Sequence, residues 1–150
     1  VSVEGEVGIV GYHNGKISEG TKVNEAKRFV DESEVDAIAI SVGNTHLQTN
    51  KIAKIDIKKI IDLQNVINIP LVLHGSSGIG NAMRRKIAKT TNVAKFNIGT
   101  ELRLIFGNSL RANILQDKDV FDRLKILKPT IKEIKKVAMK VILNIGPVNE

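Results

Sequence analysis

The alternation of strand-like and helix-like segments predicts an α/β fold with a parallel sheet. Short runs of branched aliphatic residues alternate with stretches in which apolar residues recur at helical spacing. Four such strand–helix pairs follow one another, which is the order that parallel strands with helical crossovers require. Polar residues suited to chemistry follow the strand runs. We therefore predict an α/β barrel with its site at the carboxyl ends of the strands, and a doubly wound sheet is the alternative.

Each predicted element depends on a particular run of residues. The strands are VSVEGEVGIV, VDAIAISVG, IPLVL and AKFNIGT. The helices are NEAKRFVDES, IDIKKIIDLQNVI, NAMRRKIAKTT, residues 101–115, and TIKEIKKVAMKVILNIG after Pro129. Their predicted apolar faces contain Ala26, Phe29 and Val30, then Ile57, Ile60, Ile61 and Leu63, and finally Ile131, Ile134, Val137, Met139, Val141 and Ile142. Because the first run is strand-like from Val1, we expect the chain to begin partway through a fold.

Composition limits the class of protein. A chain of 150 residues with 42% hydrophobic content is one ordinary domain in size, and it can bury a single core. Aromatic residues are only 3%, so the core must be aliphatic. The absence of cysteine excludes disulfides and thiolate metal sites, so any metal must use His, Asp, Glu or backbone oxygens. We expect a soluble, cytoplasmic protein.

The formal net charge of +7 is the feature that would favour nucleic-acid binding. The basic residues cluster in helical stretches, at Lys58 and Lys59, from Arg84 to Lys86, and from Lys132 to Lys136. Their spacing predicts solvent-facing positions, and no aromatic residues interleave with them to stack on bases. We therefore expect neither nucleic acid nor a membrane as a partner. The same positive field would favour a phosphorylated small substrate.

The stretch LVLHGSSGIG organises the predicted site. A buried strand leads to His74, which is followed by Gly75, Ser76, Ser77 and Gly78. Histidine can offer a ring nitrogen to a metal, and glycines let backbone N–H groups approach an anion. Each half of this signal is weak alone, because a single histidine near a strand end is more often a hydrogen-bonded structural residue.

Further candidate residues follow the other predicted strands. His46 is expected in a loop just beyond the second strand, and Asn97 follows the last one. Glu4 and Glu6 share one face of the first strand, where they could also be solvent-facing or ion-paired. Asn97 could equally be a turn residue, and Thr100 the N-cap of the next helix. His13 is expected to be a surface residue.

Four motifs resemble those of the zinc-dependent, class II ketose-bisphosphate aldolases. VEGEVG is similar to a strand of that family, VGNTH and IPLVLHGSSGI to two of its zinc-histidine loops, and KFNIGTELR to its phosphate strand. The resemblance implies a (β/α)₈ barrel about twice this length. Residues 1–150 would be its C-terminal half, roughly strands five to eight. The family's first zinc histidine and the aspartate before it would lie outside this chain.

The resemblance also implies the site residues and the cofactors. Zinc would be held by His46 and His74, with Glu6 as a further metal contact, and it would act as a Lewis acid. Asn97 would be catalytic through its amide, which would hydrogen-bond the reacting ketose. The implied substrate and phosphate residues are Gly75, Ser76, Ser77, Asn97, Ile98, Gly99 and Thr100. A monovalent cation, Na⁺ or K⁺, would order the phosphate site.

The implied activity is aldol cleavage and condensation of a fructose-type or tagatose-type ketose 1,6-bisphosphate. The products of cleavage would be dihydroxyacetone phosphate and glyceraldehyde 3-phosphate, and the enzyme would be a dimer or tetramer. The isolated chain is expected to be inactive and to self-associate, because a half barrel leaves its end strands unpaired.

Departures from the family pattern favour an alternative, a diverged or truncated barrel that binds sugar phosphate without catalysis. Leu47 stands where the family usually has glycine. Tyr12, His13 and Asn14 replace an acidic pair that includes a proton-transferring glutamate. Gly99, in place of an acidic residue of typical fructose-bisphosphate enzymes, favours the tagatose type, whereas Gly78 favours the fructose type.

Overall fold

A computed structural model describes residues 1–12 and 20–147. The strands are β1 (Glu4–Val7), β2 (Gly11–Tyr12), β3 (Ala37–Ile40), β4 (Thr45–His46), β5 (Leu71–Leu73) and β6 (Val93–Phe96). The helices are α1 (Val23–Ser33), α2 (Ile57–Gln64), α3 (Asn81–Thr90), α4 (Thr100–Gln116) and α5 (Arg123–Ile145), and a 3₁₀ helix spans Ser76–Gly78. The four predicted strand–helix pairs are therefore confirmed.

The main sheet has the strand order β1-β3-β5-β6, and all neighbours are parallel. The order follows the chain without reversal, as in a barrel, whereas a doubly wound sheet reverses its order at a switch point. The short strands β2 and β4 pair separately, with Tyr12 opposite His46. His46 thus lies in a strand rather than in the predicted loop, because β2 offers it a backbone partner.

The two faces of the main sheet differ in character. One face packs aliphatic side chains against the helices, and it includes Ile38, Ile40, Leu71 and Leu73, all completely buried. The register gives the other face polar groups at its two ends. One row across β1, β3, β5 and β6 consists of Glu6, Ala39, Val72 and Lys95, each aligned with the next. The polar side chains of β1 and β6 therefore lie on the face away from the aliphatic core.

The helices α1 to α3 complete the core of a compact unit that spans Val1–Ile98. Helix α2 begins at an N-cap, Asp56, whose side chain accepts from the backbone N–H of Lys59 at 3.0 Å. Ile60 and Leu63 are buried as predicted, but Ile61 is 40% exposed and does not belong to the inward face. The reason is geometric, since Ile61 is rotated about 100° from Ile60 around the helix axis.

A second unit spans Gly99–Glu150 and contains α4 and α5. Helix α5 begins at the N-cap Asp122 and contains Pro129, whereas the sequence predicted that the helix would follow that proline. Proline has no N–H to donate to the helix, but the Asp122 cap starts the helix before Pro129. The helix therefore begins earlier than the sequence predicted. The amide of Asn113 joins the helices by donating to the Ile126 carbonyl at 3.1 Å. Of the predicted apolar face, only Val141 is buried.

Arg84 differs from its predicted solvent-facing position. The side chain is 1% exposed, and its guanidinium donates to the Asn81 side-chain oxygen at 2.6 Å. Arg84 therefore contributes to packing beneath α3 rather than to an exposed basic patch. In the described part of the chain, no helix is long and apolar enough to cross a membrane.

Candidate metal and phosphate site

A buried asparagine fixes the loop that follows β3. The Asn44 side-chain oxygen accepts from the Val42 backbone N–H at 2.7 Å. Its amide donates to the carbonyls of Ile40 at 3.1 Å and His74 at 2.9 Å. Because Asn44 is 2% exposed, these hydrogen bonds are shielded from water. Asn44 therefore joins the segment that carries His46 to the backbone of His74.

The two predicted zinc histidines are neighbours in the structure. The ring centroids of His46 and His74 are 6.1 Å apart, and the ring planes are inclined by 55°. Two imidazoles on one tetrahedral zinc ion have centroids roughly 5 Å apart, given Zn–N bonds of about 2.0–2.1 Å. A side-chain adjustment of about 1 Å would bring the pair to that spacing. The pair therefore fits two positions of a metal centre.

Two carboxylates from β1 lie beside the imidazole of His74. Its Nε2 is 2.9 Å from Glu4 Oε1, which is hydrogen-bond distance. Its Nδ1 is 3.7 Å from Glu6 Oε2, which is longer than a hydrogen bond. The imidazole side chain is 20% exposed, so these electrostatic interactions are partly protected from solvent screening. Both ring nitrogens therefore face an acidic side chain of the first strand.

Glu4 is also paired with a lysine. Its second carboxylate oxygen accepts from Lys95 Nζ at 2.7 Å. The hydrogen bond with Lys95 is the largest cause that lowers the pKa of Glu4, and that with His74 adds to it against the opposing effect of burial. Glu4 is therefore held as a carboxylate between an ammonium group and an imidazole.

The donor chemistry at this edge suits zinc, but the set is incomplete. Neutral imidazole and carboxylate are zinc ligands, and catalytic zinc has three protein ligands with one open position. Within residues 1–12 and 20–147, no three His, Cys, Asp or Glu side chains form a group that could hold a metal ion. The described residues thus bring His46 and His74 together and place Glu6 near His74. They do not assemble the three as a closed site.

The turn after His74 has a backbone that only glycine adopts easily. Gly75 has φ +60°, and a Cβ there would lie 2.5 Å from the Thr45 carbonyl oxygen. The Ser76 hydroxyl donates to the Leu73 carbonyl at 2.7 Å and is buried, so its side chain is engaged within the turn. Ser77 is also almost completely buried. The turn therefore places its backbone, rather than the Ser76 side chain, beside β4.

The segment after β6 is joined to the same turn. Asn97 donates its backbone N–H to the Leu73 carbonyl at 2.9 Å and accepts from the Ser76 N–H at 3.1 Å. Ile98 ends the first unit, and Gly99 and Thr100 begin the second. Gly99 is the N-cap of α4 and Thr100 is its first residue, so Thr100 does not cap the helix.

The departures from the family pattern have different structural outcomes. Leu47 has φ +58°, a left-handed conformation that glycine adopts more readily, and its side chain is 54% exposed. The backbone of this turn therefore has the form expected for glycine although a leucine stands there. Tyr12 pairs with His46 through its backbone. His13 and Asn14 lie outside the described residues.

Sequence reasoning missed three polar contributors to this site. Asn44 was seen only as part of a loop, Lys95 only as a strand residue, and Gln48 not at all. Gln48 is buried beside Gly78, and among residues 1–12 and 20–147 its side-chain oxygen has no hydrogen-bond partner. A polar residue inside an apolar strand, such as lysine in VAKF, is the signal that could have identified Lys95.

Parallel sheets in chain order, with polar groups gathered at the carboxyl edge, are typical of α/β-barrel enzymes. The sequence matches the family model of class-II fructose-bisphosphate aldolase over residues 1–150, so the chain belongs to that family. The family indicated by the four sequence motifs is therefore confirmed.

Individual relatives agree with this assignment. A 6-phospho-5-dehydro-2-deoxy-D-gluconate aldolase of Shouchella clausii (strain KSM-K16) is 32% identical over 153 residues, covering 100% of this chain and 52% of that protein. The crystal structure of the YdjI aldolase from Escherichia coli K12 matches with a TM-score of 0.71 and 25% identity, over 97% of this chain and 48% of the other.

The crystal structure of a fructose-bisphosphate aldolase from Campylobacter jejuni matches with a TM-score of 0.69 and 19% identity, over 99% of this chain and 53% of that chain. The chain therefore spans about half the length of the relatives it matches. Together with the strand order, these likenesses confirm the predicted α/β-barrel fold, of which this chain forms four strands and their helices.

Proposed function

We propose that the protein carrying this chain catalyses zinc-dependent aldol cleavage and condensation of a ketose 1,6-bisphosphate. The observation that carries the proposal is the juxtaposition of His46 and His74, with ring centroids 6.1 Å apart, beside the left-handed turn at Gly75. Membership of the class-II aldolase family supports the reaction class. Dihydroxyacetone phosphate and glyceraldehyde 3-phosphate would be the cleavage products.

In this proposal each group of residues has one task. His46 and His74 would hold zinc together with a third donor, and Glu6 would be a further contact. A zinc ion held there would supply Lewis acidity toward the ketose oxygens. Backbone N–H groups and hydroxyls of the turn and of the segment after β6 would bind phosphate, and the Asn97 amide would orient the ketose. These phosphate residues are Gly75, Ser76, Ser77, Ile98, Gly99 and Thr100.

The proposal extends to the whole protein. Residues 1–150 would be the C-terminal half of the barrel, because β1 and β6 each have one neighbour in the described main sheet and the relatives are about twice as long. The other half would supply the third zinc ligand and the aspartate that handles the proton on the aldehyde oxygen. The isolated chain would therefore be inactive. We further propose a homo-oligomeric, cytoplasmic enzyme with a Na⁺ or K⁺ site near the turn.

The experiment uses the full-length protein that carries this chain. Cleavage of fructose 1,6-bisphosphate, tagatose 1,6-bisphosphate and 6-phospho-5-dehydro-2-deoxy-D-gluconate would be measured before and after removal of metal with EDTA. We expect one bisphosphate to be cleaved, activity to be lost with EDTA, and zinc to restore it. A protein that cleaves neither bisphosphate, or that cleaves equally well without metal, contradicts the proposal. Cleavage of 6-phospho-5-dehydro-2-deoxy-D-gluconate alone would keep the aldol reaction and replace the proposed substrate.

A second candidate is a barrel that binds sugar phosphate without cleaving it. The left-handed Leu47 favours it, because a side chain stands where glycine would leave the backbone open to phosphate. Binding of dihydroxyacetone phosphate by the zinc-loaded protein, without turnover of any substrate, would support this candidate. A measurable EDTA-sensitive cleavage rate would exclude it.

A further inference from the structure

The structure contains a polar chain that crosses the open face of the sheet. Lys95 Nζ donates to Glu4 Oε2 at 2.7 Å, and Glu4 Oε1 lies 2.9 Å from His74 Nε2. Its three members come from β6, from β1 and from the residue after β5. The carboxylate uses one oxygen for each partner, so Glu4 links Lys95 to His74.

Small residues on the intervening strand make this chain possible. Strand β3 lies between β1 and β5, and its residues Ala37 and Ala39 are aligned with Glu4 and Glu6. Residues aligned in neighbouring parallel strands point to the same face. On β3, therefore, only methyl groups stand between the glutamates of β1 and the side chain of His74, which follows β5. A long side chain at either alanine would separate Glu4 from His74.

We propose that Glu4 is a positioning residue for the metal-binding imidazole, and that Lys95 holds Glu4 in place. Glu4 accepts the Nε2 proton of His74, which leaves the Nδ1 lone pair free toward Glu6 and the metal position. A carboxylate that accepts from the second nitrogen of a metal-bound histidine fixes the ring tautomer and orientation. The metal part of this inference depends on the proposed function, whereas the tautomer part does not.

The alternative assignment, in which Glu4 itself is a metal ligand, fits the contacts less well. Both of its oxygens are already engaged, and Lys95 would bring a positive charge next to the metal. Glu6 has the more suitable place, since its Oε2 is 3.7 Å from Nδ1. Two donors of one tetrahedral zinc ion lie roughly 3.3 Å apart. The two glutamates of β1 therefore take different roles.

The test combines zinc affinity with the tautomer of His74 in the full-length protein. Zinc affinity would be measured by competition with a chelator for wild type, Glu4→Ala, Glu4→Gln, Lys95→Met and the control Lys58→Met. Lys58 is ion-paired with Asp62 on the exposed surface of α2, so Lys58→Met tests the removal of one positive charge away from the site. The tautomer would be read from ¹⁵N shifts of the neutral ring in metal-free protein.

We expect Glu4→Ala to weaken zinc binding by about 10-fold to 100-fold, the usual effect of losing an outer hydrogen-bond partner. Lys95→Met should weaken it by a smaller factor, at least about threefold, and Lys58→Met by less than about twofold. Glu4→Gln keeps an acceptor oxygen, so its affinity should lie between those of wild type and Glu4→Ala. Metal-free His74 should carry its proton on Nε2 in wild type and lose this preference in Glu4→Ala.

Two results would overturn the inference. One is a zinc affinity in Glu4→Ala and Lys95→Met within twofold of wild type, and the other is a wild-type His74 protonated on Nδ1. If wild type binds no zinc, the proposed function fails. The His74 tautomer in metal-free wild type and Glu4→Ala would then still show whether Glu4 orients the imidazole ring. If Glu4→Ala does not fold, Glu4→Gln and Lys95→Met carry the same comparison.

Discussion

The two units of the chain bury their apolar residues to very different degrees. Residues 1–98 contain almost all of the buried aliphatic side chains, including those on both sides of β3 and β5. In the helical unit that begins at Gly99, Val141 is the single buried hydrophobic residue among those described. Exposed large side chains are common there, for example Leu115, Phe121 and Leu143.

This difference shows that a sequence pattern can predict a secondary-structure element without predicting which of its faces is buried. In the first unit, apolar runs and helical periodicity agree with burial, so the pattern predicts both the elements and their inward faces. In the second unit the same periodicity predicts the helices but not burial. Surface of this kind is typical of contacts with other parts of a protein. If burial sets the contribution of a side chain to stability, substitutions in the first unit should change the free energy of unfolding more than matched substitutions in the second.

The largest expected difference is in the cost of removing an aliphatic side chain. Ile40 is completely buried in the first unit, so Ile40→Ala should lower the free energy of unfolding by about 3 kcal/mol. Leu143 is 72% exposed in the second unit, so Leu143→Ala should change it by less than about 0.5 kcal/mol. Urea unfolding of the full-length protein measures both. A loss above about 2 kcal/mol for Leu143→Ala would show that this face is covered in the whole protein.

Glycines of the two units should respond to alanine with opposite signs. Gly75→Ala forces a left-handed alanine against the Thr45 carbonyl, so a loss of at least about 2 kcal/mol is expected. Gly107 lies within α4, where an added Cβ would make only ordinary contacts with Arg111. Gly107→Ala should therefore stabilise the protein by about 0.5–1 kcal/mol. Thermal unfolding of both variants gives the two signs, and equal signs would contradict the account of the turn.

Replacing Leu47 with glycine should relieve strain at the turn after His46. A left-handed conformation costs a residue with a Cβ about 1–2 kcal/mol. Replacing that residue with glycine removes this strain, but it also raises the conformational entropy of the unfolded chain, which offsets part of the gain in stability. Because the leucine side chain is half exposed, Leu47→Gly should be stabilising, by at most about 1 kcal/mol. Glu34 has φ +54° at the end of α1 and provides the matched control. If Glu34→Gly stabilises the protein but Leu47→Gly destabilises it, the prediction is contradicted. The Leu47 side chain would then contribute packing energy that exceeds the strain of its backbone.

The smallest expected effect is on acid stability. The folded pKa of Glu4 lies below its ordinary value of 4.5, chiefly because Lys95 donates to it. The stabilisation is complete above that ordinary value and is lost as the pH falls through the folded pKa. Glu133 in the second unit has a lowered pKa because Lys136 donates to it, but that pair is on the open surface. Glu4→Gln should therefore flatten the acid limb of a stability–pH profile more than Glu133→Gln does.

Much of the fold was predictable from the sequence, because strand and helix signals agree through most of the chain. The main differences have local physical causes. Pro129 lies inside α5 since the Asp122 cap starts that helix earlier, and His46 lies in β4 because β2 supplies a backbone partner. Arg84 is buried although its sequence neighbourhood is basic. Such outcomes depend on tertiary partners, which residue spacing does not specify.

The candidate site was predictable in its residue types but not in its connections. The motifs identified His46, His74 and Glu6, and the structure brings the two imidazoles near each other. The link from Lys95 through Glu4 to His74 joins residues up to 91 positions apart in sequence, and it depends on the small residues of β3. No local pattern contains that information, whereas the strand register does.

The zinc content of the full-length protein tests the central claim most directly. Wild type, His46→Ala and His74→Ala would be purified with zinc present, dialysed and analysed by elemental mass spectrometry, with circular dichroism to confirm folding. The account predicts about one zinc ion per chain in wild type and less than about a tenth in each folded variant. A wild type without bound zinc, or folded variants that retain it in full, would contradict the claim that these histidines form a metal centre.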